Sequence, residues 1–280
     1  MTFKTILVEV DSSRDAEKTV TAAASLAKRF KATLHGFHVM PDIAATAVGP
    51  AGDMVSPRLV EDMERDTEAR AEAAEKLFRS VAGDLAGTDG WHLVGGMGSA
   101  VETAPTKVAH YADLVVIGGP ESDTDTVPRV ISPQDFVVDC GRPLLFNPEA
   151  AAEGAIGTRI VVAWTETAEA ARATFDSLPF LETAETVTVV TVAEEDPDGP
   201  TPREKVATVL EAHGVKAAVD SVPPRKGKST SETLFDYAEE AKADLLVAGA
   251  YSHTRLREGL FGGVTKSIFE SAPLPVLLSH

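Results

Sequence analysis

Short runs of almost continuous apolar residues recur along this chain, and longer amphipathic segments separate them. Apolar runs without polar alternation are typical of parallel β-strands, because helices cover both faces of such a sheet. The sequence therefore predicts strands at ILV (6–8), LVVI (114–117), IVVA (160–163), VTVV (187–190) and LLVA (245–248).

The segments between these runs have helical periodicity. After the IVVA run, a predicted helix carries one apolar face whose members lie three or four residues apart: Ala168, Ala171, Phe175, Leu178 and Leu181. Strands that alternate with amphipathic helices indicate right-handed crossover connections and a three-layer α/β fold.

The whole pattern occurs twice. ADLVVIGG at 112–119 is repeated as ADLLVAGA at 243–250, and TILVEVDSS at 5–13 corresponds to RIVVAWTET at 159–167. An internal repeat of this length predicts two tandem α/β domains, at residues 1–147 and 158–280. The join lies in FNPEAAAEGAIGT at 146–158, which has the composition of a linker.

The first half is longer than the second between its first strand and its ADLxVxG strand. We expect the additional residues in a loop at 41–59, PDIAATAVGPAGDMVSPRL, where glycines and prolines interrupt the pattern. Such a loop covers a pocket or a partner in some proteins, but here we expect an ordinary surface excursion.

Composition excludes several classes of function. The chain has a net charge of −17, which argues against a surface for nucleic acid or an anionic membrane. No apolar run approaches the length of a membrane span, and the N-terminus MTFKTILVEV has no signal-peptide pattern. With one cysteine, Cys140, neither an intrachain disulfide nor a multi-cysteine metal site is available. We expect a cytoplasmic protein.

One loop in the second half has the order of parts that holds phosphate groups. In VAGAYSHTRLREGLFGGVTKSIF at 247–269, a strand ends at Gly249, a polar loop follows, and Gly262 and Gly263 open a predicted helix. Glycines allow close backbone approach, and successive N–H groups at a helix N-terminus form an anion-binding concavity.

The spacing of this loop resembles the nucleotide loop of the universal stress protein family, G-x2-G-x9-G-S/T. The flanking DLLVAG and APLPVLLS strands are also similar to that family, and the likeness extends over both halves. The resemblance implies two five-stranded parallel α/β domains in a bacterial, regulatory stress-response protein. Some members bind ATP, so it also implies an adenine nucleotide with Mg²⁺ as its counter-ion.

The resemblance places one nucleotide site in the second half. The base would lie between the first-strand tip and the end of the second strand, and backbone groups of the loop would hold the phosphates. The implied residues are Ala163, Trp164, Thr165, Thr191, Val192, Gly249, Ser252, His253, Gly262, Gly263, Val264 and Thr265. For His253, a plain surface histidine is an equally good interpretation.

Three positions depart from the family pattern. Ser252 replaces the second glycine, Gly263 replaces the Ser or Thr hydroxyl that meets phosphate, and Thr165 replaces an Asp at the first-strand tip. Thr265, two residues beyond Gly263, is a candidate replacement for the missing hydroxyl.

The first half departs in the opposite way. It keeps Asp11 at the first-strand tip, but its loop carries Glu121, Asp123 and Asp125, which would repel a triphosphate unless a divalent cation bridged them. We expect this half to be a structural copy without a ligand. Asp11 or Ser12 is then expected to cap the first helix.

No catalytic constellation or metal site emerges from the remaining residues. His35 and His38 share a predicted strand but face opposite sides of it, and Cys140 is expected to be a small buried residue. Any ATP hydrolysis would be slow. The alternative to nucleotide binding is an interaction or scaffold module of the same fold, which pairs as a homodimer or docks a protein partner; an enzyme acting on a nucleotide is a third, weaker hypothesis.

Overall fold

The computed structural model of the chain describes residues 2–11, 13, 15–41, 43, 56–95, 105–119, 132–148, 151, 154–193, 201–251 and 263–280. The chain forms two compact units. One comprises Lys4–Ser132, and the other comprises Met1–Phe3 together with Pro133–His280.

The first unit alternates strands and helices in the predicted way. Its elements are β1 (Thr5–Glu9), α1 (Ala16–Phe30), β2 (Thr33–Met40), α2 (Pro57–Ala82), β3 (Ala86–Gly95), α3 (Pro105–Ala109) and β4 (Leu114–Gly118). The strands lie in the order β3-β2-β1-β4, and each described pair is parallel.

The second unit repeats this arrangement and adds one strand from the first sequence repeat. Its elements are α4 (Pro133–Asp139), β5 (Leu144–Asn147), β6 (Arg159–Ala163), α5 (Ala168–Asp176), α6 (Leu178–Leu181), β7 (Thr186–Val192), α7 (Pro202–Ala212), β8 (Ala217–Val222), α8 (Thr230–Glu240), β9 (Leu245–Gly249), α9 (Gly263–Ser271) and β10 (Val276–Ser279). The order is β5-β10-β9-β6-β7-β8. Strands β6 to β10 are parallel, whereas β5 pairs antiparallel with β10.

Burial explains why the central strands read as continuous apolar runs. Ile160, Val161 and Val162 of β6 are all buried, and so are Leu245, Leu246 and Val247 of β9. Because successive side chains of a strand point to opposite faces, both faces of the sheet are covered at these strands. The chain therefore has the predicted α/β fold with a mostly parallel sheet.

The extra length of the first half lies largely in a helix rather than in a loop. Helix α2 has 26 residues, whereas its counterpart α7 has 11. Of the segment 41–59 in which we placed the insertion, residues 57–59 already belong to α2, and residues 42 and 44–55 lie outside the described part of the chain. The amphipathic sequence of α2 buries a row of residues along its length, Thr67, Ala71, Ala74, Phe78 and Ala82, so a longer helix gains packing that a loop would not.

In each unit an aspartate of the ADLxVxG segment holds the start of a neighbouring strand, which is β1 in the first unit and β6 in the second. Asp244 Oδ1 accepts hydrogen bonds from the backbone N–H groups of residues 157, 158 and 159, at 2.8–3.0 Å. Asp113 Oδ2 accepts from the N–H groups of Lys4 and Thr5, at 2.7 and 3.0 Å. This aspartate recurs in the sequence because the same local fold needs it twice.

Candidate functional site

A cavity of about 320 Å³ opens at the carboxyl ends of the parallel strands in the second unit. It lies where β6 is flanked by β9 on one side and β7 on the other, which is the point where strand order reverses. Ligands of open parallel α/β sheets bind in the crevice at such a point. The cavity is lined by Ala163, Trp164, Thr165, Val190, Val192, Thr230, Leu234, Ala248, Gly249, Tyr251, Gly263, Val264 and Thr265.

The structure brings most of the predicted binding residues together in this lining. Ser252, His253 and Gly262 lie outside the described residues, and Thr191 is not part of the lining. All the other predicted residues line the cavity. Eight of the twelve predicted residues therefore line one cavity, and their role in binding a ligand stays a prediction.

Thr191 holds the carboxyl end of β6 in place through a hydrogen bond. Its Oγ1 donates to the carbonyl oxygen of Trp164 at 3.1 Å, and the Trp164 N–H donates to the Val190 carbonyl at 2.8 Å. These bonds hold residues 163–165 against the end of β7, so that Trp164 and Thr165 form one wall of the cavity. Thr165 carries a hydroxyl where the first unit has a carboxylate, so this wall is uncharged.

Gly249 is required by packing against a helix. A Cβ atom built on Gly249 would lie 2.5 Å from Ala170 N and 2.7 Å from the Glu169 carbonyl carbon, both in the main chain of α5. Real Cβ atoms essentially never approach so closely. The glycine that begins the loop thus lets the end of β9 pass directly beside α5.

The chain turns into the loop at Tyr251, which the sequence analysis did not select. Tyr251 is buried and has φ = +58°, in the left-handed region that few non-glycine residues adopt. Its backbone N–H donates to Thr265 Oγ1 at 3.1 Å. The only sequence signal for Tyr251 was its place between two positions of the glycine pattern.

The N-terminus of α9 forms the opposite wall of the cavity. Gly263, Val264 and Thr265 are its first three residues, and the first N–H groups of an α-helix have no partner within the helix. Together with the helix dipole, such groups attract an anion. Thr265 is buried, and its hydroxyl already accepts from Tyr251 N–H, so it fastens the loop in addition to facing the cavity.

Helix α8 supplies a part of the site that the sequence analysis missed. Thr230 and Leu234, on its first turns, line the cavity. Ser229 caps this helix in a reciprocal pair of hydrogen bonds with Glu232, which fixes where the helix begins. The missed signal was topological, because every helix that follows a parallel strand starts at the carboxyl edge of the sheet.

The corresponding strand tip in the first unit is acidic. Glu9 is buried, and Asp11 Oδ1 accepts from Ser13 N–H at 3.1 Å and from Ser13 Oγ at 2.6 Å. Asp15 is the N-cap residue of α1, so the expected helix cap at Asp11 is wrong, and Ser12 lies outside the described residues. The chain makes a local turn at Asp11 before the helix starts at Ala16.

His38 takes the part that Thr191 plays in the second unit. The strand registers pair Thr5 with Thr33 and Arg159 with Thr186, which makes His38 and Thr191 equivalent. The His38 Nδ1 lies 2.6 Å from the Val10 carbonyl oxygen and donates to it, as Thr191 donates to Trp164. Burial lowers the pKa of His38, although the Val10 carbonyl and Asp11 oppose that shift.

Groups for other chemistry are not assembled in the described residues. No cluster of three or more His, Cys, Asp or Glu side chains is placed to hold a metal ion in the ranges given above. Cys140 is buried, and burial raises the pKa of its thiol, which disfavours a nucleophilic thiolate. None of the described helices combines the length and the apolar character needed to cross a bilayer.

Comparison with known proteins identifies relatives of the whole chain. The model of the universal stress protein family matches residues 2–124 and again residues 158–280. No curated protein matches the sequence significantly.

Solved structures with both repeats share the fold. A universal stress protein from Archaeoglobus fulgidus DSM 4304 has a TM-score of 0.69 at 13% identity, with 98% of this chain and 97% of that chain covered. A putative universal stress protein from Pseudomonas aeruginosa UCBPP-PA14 has a TM-score of 0.55 at 14% identity, covering 99% and 93%. At these identities the likeness establishes the fold alone.

Proposed function

Because the chain belongs to the universal stress protein family, with one family domain at 2–124 and another at 158–280, we propose that its second domain binds an adenine nucleotide. The ligand is ATP or a close relative, and it occupies the cavity at the carboxyl ends of β6, β7 and β9. Nucleotide occupancy then regulates how the protein engages a partner.

The observation that carries this proposal is the pairing of two unlike walls around one cavity. One wall is the N-terminus of α9, whose first backbone N–H groups have no acceptor within the helix and attract phosphate. The other wall contains Trp164, Val192 and Leu234, which offer apolar surface to a flat base. A nucleotide matches both walls, because its phosphates are anionic and its base is flat and largely apolar.

Ligand recognition rests mainly on the main chain. Gly263 is exposed, and no described atom beyond its chain neighbours and the backbone of its own helix lies within 4 Å of a Cβ built on it, so its described surroundings leave room for a phosphate. Thr165 supplies a neutral hydroxyl at the strand tip, which hydrogen-bonds a ribose hydroxyl or a base edge without adding negative charge. Mg²⁺ accompanies the phosphates as their counter-ion.

Position 263 also allows a sharp test. Because Gly263 lies in helix α9, where the backbone φ is negative, and its described surroundings are open, it accepts a side chain without strain. Gly263→Glu places a carboxylate at the helix N-terminus, where it stabilises the helix but repels phosphate. Gly263→Gln has the same size and no charge, and serves as the matched control.

Trp164 reports on occupancy once the other tryptophan is removed. In a Trp91→Phe background, Trp164 is the single tryptophan of the chain and lines the cavity. ATP added to nucleotide-stripped protein should change its emission saturably. Gly263→Glu should weaken the apparent affinity by roughly tenfold or more, the loss expected for one charge-assisted contact turned into repulsion, and Gly263→Gln should weaken it much less.

The alternative of a nucleotide-free interaction module predicts a different outcome. In that case ATP leaves the Trp164 emission unchanged, and the glutamate and glutamine variants behave alike in every assay. Either result overturns the nucleotide proposal.

A further inference from the structure

A second cavity lies at the opposite, amino edge of the same domain. Its volume is about 560 Å³, within the range of small-molecule sites. It is lined by residues 154–156 and 158 of the linker, the start of β6, the end of α8 with the segment that follows it, and the segment before β10. We call it the amino-edge cavity.

The floor of the amino-edge cavity is apolar. Ile156 and Leu274 are each 8% exposed, and Ala155, Pro273 and Pro275 add further apolar surface beside them. A cavity with such a floor is filled favourably by a hydrocarbon chain or ring, because burial of apolar surface contributes roughly 25 cal/mol per Å².

Two cations stand at the rim of this cavity. Arg159 and Lys242 both line it, and both are exposed. The Arg159 Nε donates to the Lys242 carbonyl oxygen at 2.7 Å, which fixes the plane of the guanidinium and leaves its two terminal nitrogens available. Within the described part of the chain, no carboxylate pairs with either cation.

The two acidic residues at the rim, Asp244 and Glu239, differ in how strongly they would repel a bound anion. Asp244 Oδ1 is occupied by three backbone N–H groups, which offset its charge. Glu239 is exposed and lines the cavity without such partners, so it opposes an anion. A fixed guanidinium fork beside an apolar floor nevertheless matches one carboxylate in bidentate geometry.

We propose that the amino-edge cavity binds a small amphipathic carboxylate, with its apolar body on Ile156 and Leu274 and its carboxylate on Arg159 and Lys242. The site is separate from the nucleotide cavity, since the two share no lining residue. Binding there fixes the linker 154–158, which forms part of the wall.

Decanoate is the probe for this site, with decanol as the uncharged analogue and decyltrimethylammonium as the cationic one. Titrations followed by backbone amide NMR shifts on the full chain should show saturable decanoate binding. The largest shifts are expected at residues 154–159 and 242–244. Saturating ATP should leave the decanoate affinity unchanged, which separates this site from the nucleotide cavity.

Charge variants test the rim directly. Arg159→Gln should weaken decanoate binding by about tenfold, the loss expected for a charge-assisted pair, whereas Glu239→Gln should strengthen it. Lys205→Gln, on α7 and outside the cavity, is the matched control and should change nothing. The proposal is overturned by absence of saturable binding, by equal affinity for decanol, by shifts centred on the nucleotide cavity, or by equal losses in the Arg159 and Lys205 variants.

Discussion

Gly249 offers a quantitative test of how the end of β9 packs against α5 in the second domain. In Gly249→Ala, the new Cβ atom would lie 2.5 Å from Ala170 N and 2.7 Å from the Glu169 carbonyl carbon. Both contacts are to the main chain of α5, so no side-chain rotation relieves them. The helix or the strand end must shift by roughly 1 Å to restore an ordinary van der Waals distance, and overpacking of this kind costs about 1–3 kcal/mol.

Two other glycines provide a graded comparison. At Gly118, the equivalent position of the first domain, a Cβ atom would meet the side-chain Oγ1 of Thr19 at 2.9 Å. That hydroxyl can rotate away, so Gly118→Ala should cost less than Gly249→Ala. At Gly263 no described atom outside its chain neighbours lies within 4 Å, and Gly263→Ala should be neutral or slightly stabilising because alanine favours a helix.

Thermal and urea unfolding of the three variants measure this order. For Gly249→Ala we expect a melting temperature lower by roughly 2–12 °C, using about 2–4 °C per kcal/mol for a chain of this size. A melting temperature equal to the wild type for Gly249→Ala, or a larger loss for Gly263→Ala than for Gly249→Ala, would refute the packing argument.

Three further predictions follow from described contacts. Asp244→Ala leaves three backbone N–H groups without their acceptor and should lower the free energy of unfolding by roughly 2–4 kcal/mol in urea titrations, whereas Asp113→Ala, with two such groups, should cost less. Thr265→Val removes the acceptor for the buried Tyr251 N–H and should cost about 1–3 kcal/mol, while Thr265→Ser should not. Burial lowers the pKa of His38 below its ordinary value of 6.5. The stability that this shift contributes to the folded state is complete above pH 6.5. It is lost as the pH falls below 6.5, because the unfolded chain then binds the proton more readily than the folded chain does. The melting temperatures of His38→Gln should therefore fall less than those of the wild type between about pH 7.5 and pH 5.5, and an equal fall would count against this account.

The sequence predicted the fold because its signals were local and repeated. The strands β1, β4, β6, β7 and β9 coincide with apolar runs, and the two copies of ADLxVxG pointed to two domains of one kind. Helix periodicity was less informative where many alanines occur. In α5 the buried residues are Ala170, Ala173 and Thr174, whereas the predicted face included Phe175, which is 38% exposed.

Only those residues of the site that belong to a recognisable sequence motif could be predicted. The family resemblance in the sequence placed the tip of β6, Val192 of β7 and Gly263 of α9, and these residues line one cavity. Tyr251, Thr230 and Leu234 could not be placed in this way, because they reach the cavity through tertiary packing at the end of β9 and at the start of α8. The bond between Tyr251 N–H and Thr265 Oγ1 likewise joins residues fourteen positions apart through tertiary structure.

Isothermal titration calorimetry of ATP against nucleotide-stripped full-length protein tests the central claim most directly. We expect saturable binding with one site per chain, and its strong reduction in Gly263→Glu but not in Gly263→Gln. No detectable heat of binding across the micromolar-to-millimolar range, or two equal sites per chain, would contradict a single nucleotide site in the second domain.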